Sequence, residues 1–495
     1  MTVRRYRFGA SIFGTGLALL AAACASGPEP SAGPAVPQAC ELRPGSARGG
    51  VLEVHAPGGI DPEHAPVPVT PAERIAFRHL YETLLVVDCT GARHPGLAGT
   101  WEPEDGGRAW RFTLREGASF WDGTPVRAED VLASWRAAVS VQGGDPVQGL
   151  PSAADHRLRA ATAASTEVVD ARTLRVVLDR PASEPPAWLA DPALAVHSSR
   201  PGNAWPSGTG AWRIHPEASL PGGDPTDGTG GRWVAWPAGW TPGDARPVLR
   251  FYAGRSADPR GLLDAGEDLL VTEDPAVLAY AATLPAVEAL PLPWDRRYAL
   301  LVEGWPAEPN ADSAERALRE ALARDAVRAE ARASEMPAPA GAASACESVA
   351  APAALGVQDG IPVPPRSGAT AQIIYPREDR TARELAERLV ALAAVRPGLT
   401  VPAWVTGLPE VAGGLSDEAF AAALGRRSEA AFVLAVPRES SLPCALQLEP
   451  GPGRVLRPLV DARRRVIVAD DVAGLAVDGD GTLLLFGAGR TGEAP

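Results

Sequence analysis

The chain has 495 residues, of which 45% are hydrophobic and 22% charged; this is a globular balance at a length where one core stops growing and two or more domains are expected. Its formal net charge is −13, an acid excess that argues against a nucleic-acid partner. It contains no lysine and no His-Glu-x-x-His or Gly-x-Ser-x-Gly motif, so it offers no phosphate-loop or Schiff-base lysine, no catalytic residue of those classes and no cofactor site.

The first segment reads as an address. Arg4, Arg5 and Arg7 form a basic start, and an apolar run follows from Phe8 to Ala23. The run falls short of the ~20 residues a bilayer span takes, and residues 1–23 have the order of a secretory signal peptide. Ala21-Ala22-Ala23 lead directly into Cys24. They resemble a bacterial lipobox, which implies cleavage before Cys24 and lipid attachment on it; a plain signal peptide with a chance cysteine is the alternative. Residues 24–45 read as a tether, rich in Ala, Ser, Gly and Pro as far as Gln38, with little to gain by packing. Acyl chains on Cys24 would hold the protein at a membrane surface. The expected location is the periplasm or the cell envelope, after export across the inner membrane.

Cys40, Cys89, Cys346 and Cys444 remain. An oxidising compartment and an even number suggest two disulfides, with three possible connectivities. Cys40–Cys89 and Cys346–Cys444 are favoured because each pair stays within one half of the chain. Metal binding is the other reading, without any Cys-x-x-Cys spacing to support it.

Residues 50–140 carry the most information. Val51-Leu52-Glu53-Val54 reads as a strand closed by the turn signal Ile60-Asp61-Pro62. From Pro71, the spacing of Ile75, Leu80 and Leu84 predicts a helix containing Leu80-Tyr81-Glu82-Thr83-Leu84-Leu85. Trp110, Phe112 and Leu114 alternate with polar residues as in a half-buried strand. Asp122-Gly123 is a turn, and Ala128-Glu129-Asp130-Val131 opens a helix through Trp135.

The order of these blocks, from Leu80-Tyr81-Glu82 through His94-Pro95-Gly96-Leu97-Ala98 and Trp110-Arg111-Phe112-Thr113-Leu114 to Phe120-Trp121-Asp122-Gly123-Thr124-Pro125 and Trp135, closely resembles the extracellular solute-binding proteins of family 5. Fainter likenesses follow. Ser207-Gly208-Thr209-Gly210-Ala211-Trp212 is similar to that family's Gly-Thr-Gly-Pro-Tyr crossover, with Ala211 for the proline. Ala265-Gly266-Glu267-Asp268 is similar to its Gly-Glu-x-Asp segment. The helical pattern at 312–333, the strand-loop-helix pattern from Gln372 to Leu392, and the final stretch with its Asp478-Gly479-Asp480-Gly481 hairpin turn also match in order. For that turn a calcium loop is the alternative, but Gly489 stands where the later carboxylate would be needed.

The resemblance implies an α/β, two-lobed periplasmic-binding-protein (Venus-flytrap) fold with an extra subdomain inserted in the first lobe. It places the first lobe at 46–74, 169–269 and 456–495, the inserted subdomain at 75–168 and the second lobe at 270–455. It also implies a monomer that takes a small solute, of peptide or similar class, between its lobes and docks on ABC permease subunits. Family members commonly hold a peptide's amino terminus with an aspartate after a Gly-Trp pair; the corresponding stretch, 431–439, has neither, and Glu439 is the nearest substitute.

Trp294, Tyr298 and Trp404 lie outside the signature and are candidate ligand-binding residues, with Arg296 beside them to pair with a ligand carboxylate. Trp101, Trp110 and Trp135 fall on scaffold positions and are assigned to packing. His55, His64, His79 and His94 are scattered over different elements, so no metal site is expected. Three functions remain open: a transport receptor; a drifted relative acting as sensor or envelope interaction protein; and a secreted hydrolase, which the missing motifs disfavour.

Overall fold

The computed structural model describes residues 40–45, 49–142, 166–178, 180–198, 205–214, 232–240, 244–253, 258–293, 296–303, 335–337, 372–377, 379–394, 411–424, 430–437 and 454–491. The segment 1–23, Cys24, Trp294, Cys346, Trp404, Glu439, Cys444 and the helical pattern at 312–333 lie outside the described residues.

Seven strands form one sheet, in the order Val287–Pro291, Arg465–Ala469, Leu269–Thr272, Val51–Ala56, Val248–Ala253, Arg232–Pro237 and Trp212–Ile214. Val51–Ala56 is its centre and runs parallel to both neighbours, so both faces need cover. Helix α1, Pro71–Leu80, covers one: its Ile75, Ala76 and Leu80 share a core with Leu52, Val54 and Phe251.

The start of α1 is fixed by a reciprocal cap. The Thr70 side chain accepts from the Glu73 N–H, the Glu73 carboxylate accepts from Thr70 N–H, and Pro71 opens the first turn. The sequence expectation carried this helix to Leu85, but it ends at Leu80. There the Gly208-Thr209-Gly210 crossover packs against the last turn, and Gly210 N–H donates to the Leu80 carbonyl. A Cβ would stand 2.1 Å from the Leu80 oxygen at Gly208 and 2.3 Å from the His79 oxygen at Gly210. Only glycine permits that approach, and Tyr81 leaves the helix extended.

A second layer follows. Ala98–Glu104, Ala109–Leu114, Thr173–Val177 and Thr166–Asp170 form a four-stranded antiparallel sheet in that order. Trp110, Phe112 and Leu114 point inward as the alternation requires, at 3%, 0% and 1% exposure. Helix α2, Ala128–Gln142, covers this sheet through Val131 and Trp135, whose indole N–H donates to Leu194 O at 2.9 Å. The layer's core runs from Leu84 to Val196. It therefore excludes α1 and continues past the expected end at 168, because Thr166–Asp170 and Thr173–Val177 are two arms of one hairpin.

Helix α3, Pro259–Ala265, and helix α4, Pro275–Ala281, cover the other face of the seven-stranded sheet, packing Leu263, Val277 and Leu278 on Leu270 and Ile467. Gly266 ends α3 in the left-handed conformation, and the buried Asp268 two residues later accepts from Glu53 N–H.

A six-stranded sheet forms the second lobe, in the order Glu335–Pro337, Arg454–Ala462, Arg296–Glu303, Ala431–Pro437, Gln372–Pro376 and Val411–Leu415. Helix α5, Arg380–Ala394, buries Leu385, Ala386 and Leu389 against it, and helix α6, Asp417–Leu424, packs Phe420 and Leu424 on Leu301, Phe432 and Leu434. The chain leaves the first large sheet after Pro291, enters the second at Arg296, and returns between Ala462 and Arg465. The expected limits of 270 and 455 fall inside strands, since Leu269–Thr272 belongs to the first sheet and Arg454–Ala462 to the second.

The expected tether, 24–45, gives way to folded chain before its end. Glu41–Arg43 pairs with Leu475–Val477, and Cys40, 2% exposed, is joined to Cys89 in a disulfide. The Asp478-Gly479-Asp480-Gly481 segment is the turn of the hairpin that continues into Leu483–Leu484. Its carboxylates accept from Thr482 N–H, and Asp478 pairs with Arg78 of α1 at 2.8 Å, so they serve the turn and its docking.

His79 ties α1 to this C-terminal segment. Its Nδ1–H donates to Ile75 O at 2.7 Å, and Nε2 accepts from Leu485 N–H at 2.9 Å. Burial pushes its pKa down from 6.5 to about 4, against the backbone hydrogen bond that raises it. The folded value is the lower one, so this stabilisation is whole above pH 6.5 and is lost as pH falls through about 4. Between those limits we expect the ring to account for about 3 kcal/mol of lost stability. Denaturant titrations of His79→Gln across the same pH range should show a flatter decline than the wild type; an identical decline would contradict the assignment. Separately, Cys40→Ser or reduction should cost ~2–4 kcal/mol, as closing a loop of this size predicts, read as a lower denaturation midpoint that reductant does not shift further in the variant.

Candidate ligand cleft

In a sheet with parallel strands, ligands collect beyond the carboxyl ends, where neighbouring connections part. In the first lobe those ends are Ala56, Ala253 and Thr272. In the second lobe Gln372–Pro376 lies parallel to both Val411–Leu415 and Ala431–Pro437, so its ends are Pro376, Leu415 and Pro437. One end of each set, Thr272 and Pro376, lies beside the crossing. Glu273 and Asp274, just past Thr272, pair with Arg296 and Arg380 of the second lobe, the latter at 3.0 Å.

Each partner is positioned by local structure. Asp274 caps α4, accepting from Ala276 N–H at 2.8 Å. Asp379 caps α5, accepting from Ala382 N–H at 2.9 Å, and also accepts from the Tyr298 hydroxyl at 3.0 Å. Burial raises the pKa of Asp379 and pushes Tyr298 well above its usual range. Burial would raise Glu273 too, but the charges of Arg296 and Arg464 outweigh it and hold that carboxyl below its ordinary value. Arg377 follows Pro376 at the second carboxyl edge, exposed, with one guanidinium N–H donating to Gly414 O at 3.3 Å.

Of the sequence-nominated ligand residues, the structure describes two. Arg296 faces Glu273, with its guanidinium 6.0 Å from the Tyr298 ring centre. Tyr298 is 0% exposed inside the second lobe's core, among Leu300, Ile373 and Leu385, so its ring packs and its hydroxyl serves Asp379. Sequence reasoning missed Glu273, Asp274, Asp379 and Arg380. A signal was present: Asp274-Pro275 directly after an apolar strand is a helix cap with proline at the first turn, placed at a carboxyl end.

The four histidines have separate partners. His55 stacks on Tyr252 at 4.4 Å and meets Glu267 at 3.2 Å; His64 meets Glu73, His94 meets Asp88, and His79 bonds only to backbone. Among the described residues no group of three or more His, Cys, Asp or Glu could hold a metal ion.

Comparison with known proteins agrees with this geometry. Residues 92–215 match the family model described as bacterial extracellular solute-binding proteins, family 5 Middle. The chain is 34% identical over 146 residues to the probable deoxycholate-binding periplasmic protein YgiS of Escherichia coli, covering 28% of this chain and 27% of that one. It is 33% identical over 113 residues to the periplasmic oligopeptide-binding protein OppA of Escherichia coli, covering 21% and 20%. These matches span about a quarter of the length of those relatives. Solved structures align much further. NikA from Brucella suis, in complex with Fe(III)-EDTA, has a TM-score of 0.60 at 16% identity, over 89% of this chain and 99% of that one. The murein tripeptide binding protein MppA of Escherichia coli has a TM-score of 0.57 at 16% identity, over 90% and 100%. The ordered signature, the two-lobed topology and these likenesses converge: residues 92–215 match the bacterial extracellular solute-binding proteins of family 5, and the chain shares the two-lobed fold of these solved structures.

Proposed function

We propose that this chain is the substrate-binding lipoprotein of an ABC importer, capturing a peptide or similar small solute between its lobes by hinge closure, with no bond made or broken. The observation that carries this reading is the convergence of both sheets' carboxyl edges at 273–274 and 379–380, beside the two crossing strands. Binding there stabilises the closed form by the solute's differential affinity for it. A micromolar solute corresponds to about 8 kcal/mol, enough to drive such a shift without chemistry.

In this reading lipid on Cys24 anchors a monomer at the membrane in the periplasm or envelope, near the permease subunits. Trp294, Trp404 and Glu439 remain the nominated solute contacts, joined by Arg377 at the second carboxyl edge. One observation favours a second reading. The stretch 431–439 lacks the tryptophan and aspartate with which relatives hold a peptide's amino terminus, as a sensor or envelope interaction protein on the same scaffold would.

A thermal-shift screen against peptides, sugars and metal chelates separates the two. At ~100 times its Kd, a solute that binds only the folded state adds ~2.7 kcal/mol, a rise of several degrees in Tm. One class giving that rise supports the transport reading and names the solute. Silence across all classes, with scattering unchanged by every compound, would remove it in favour of the second.

A further inference from the structure

We propose that Asp274 and Arg380, backed by Glu273 and Arg296, form an ionic latch that sets the angle between the lobes before any solute arrives. The proposal rests on the hinge reading above, but it concerns the ligand-free protein.

The geometry supplies two sheet-based lobes and a narrow joint between them. The joint is a pair of antiparallel crossings. Pro291 pairs with Arg465 in the first sheet and Arg296 with Ala462 in the second, and between them Leu292 N–H donates to Arg464 O at 3.0 Å. Both carboxylates stand on one short connection of the first lobe. Thr272 Oγ1 accepts from Asp274 N–H, and Asp274 caps α4, which fixes that connection to its sheet. Both cations stand on the second lobe. Tyr298, two residues beyond Arg296 on the same strand, binds Asp379, which caps the helix that Arg380 begins. Each pair of like charges therefore moves as a unit, and rotation of one lobe against the other changes only the distances between the units.

The two bridges differ in place and burial. Arg296 starts the strand that leaves the joint, and its side chain is 12% exposed against 32% for Glu273. The Arg380 and Asp274 side chains are 43% and 45% exposed. A bridge at the pivot separates little on rotation, while one carried on α5 lies off the pivot and parts first. Its exposure keeps it weak: a pair of this kind shifts a two-state ratio by roughly one-and-a-half- to fivefold. That is enough to bias the resting angle and too little to lock it. Salt should release it, since the screening length falls from ~30 Å at 0.01 M to ~3 Å at 1 M.

The test is small-angle X-ray scattering of the ligand-free protein across ~0.01 to ~1 M salt, with Asp274→Asn and Arg380→Gln. Asparagine caps a helix about as well as aspartate, so Asp274→Asn removes the charge and leaves α4 its cap. Circular dichroism melts confirm that both variants fold. We expect the wild-type radius of gyration to move with salt toward a value that both variants show at every concentration. Variants that keep the wild-type salt response overturn the latch, as does a wild type that does not respond. A solute that still raises the Tm in that case leaves the solute-binding reading standing and removes the latch alone.

Discussion

Among the described residues, two passages of chain join the lobes, and they lie side by side. Pro291–Arg465 and Arg296–Ala462 are partners on either side of the same gap, and Leu292 N–H to Arg464 O bridges it. The first lobe is thus completed by chain that returns from the second, so neither can drift away as an independent bead. A two-stranded ribbon bends and twists far more readily than either wide sheet it joins. The arginines there make the joint electrostatically costly. Burial lowers the pKa of Arg463, and Arg465 lowers it further. Glu273 is a counter-charge to Arg296 and Arg464 there, and its own low pKa, held by those two against burial, is the other side of that attraction.

The first lobe needs a comparable fastening, because its sheet is assembled from distant pieces. Helix α1 provides it. Its last turn receives the Gly208-Thr209-Gly210 crossover, Arg78 holds the Asp478 turn, and His79 holds the backbone of Leu485. The N-terminal strand reaches the same hairpin through Glu41–Arg43, and the disulfide pins it to Cys89, next to Asp88, which bridges to Asp478. The N-terminal strand and helix α1 thus meet on one C-terminal hairpin. A buried neutral imidazole suits that role, since it donates at one nitrogen and accepts at the other without bringing a charge into the core.

What the sequence disclosed follows from the range over which each feature is determined. Trp110, Phe112 and Leu114 announce their strand because alternation is local, and the capped start of α1 is equally local. The order of blocks carried the two-lobed fold. The end of α1 was misjudged because the residues that stop it, Gly208 and Gly210, lie far along the chain, and Tyr81-Glu82-Thr83-Leu84 alone continues a helical spacing. The lobe limits were misplaced for a related reason. Residues 462–465 pass from one sheet to the other with no proline or glycine to mark it, only the run Arg463-Arg464-Arg465. Tyr298 was nominated for a ligand because it is an aromatic residue outside the signature blocks. Its partner, Asp379, is 81 residues away and nothing near Tyr298 points to it.

The same chemistry that drew attention to Arg296 explains why it is a poor ligand group in the proposed function. A guanidinium already facing a carboxylate at the joint would have to give up part of its pairing with Glu273 to hold a solute, which offsets what the new pair returns. Asp379 is likewise committed, to a helix end and a tyrosine. The crossing therefore presents a solute with charges that are already balanced. In the proposed function, selection would fall to groups further along the carboxyl edges, whose side chains can meet a solute without unmaking the hinge. Arg377 is such a group: it is exposed at the end of Gln372–Pro376, and its hydrogen bond to Gly414 O leaves the rest of its guanidinium fork to face solvent.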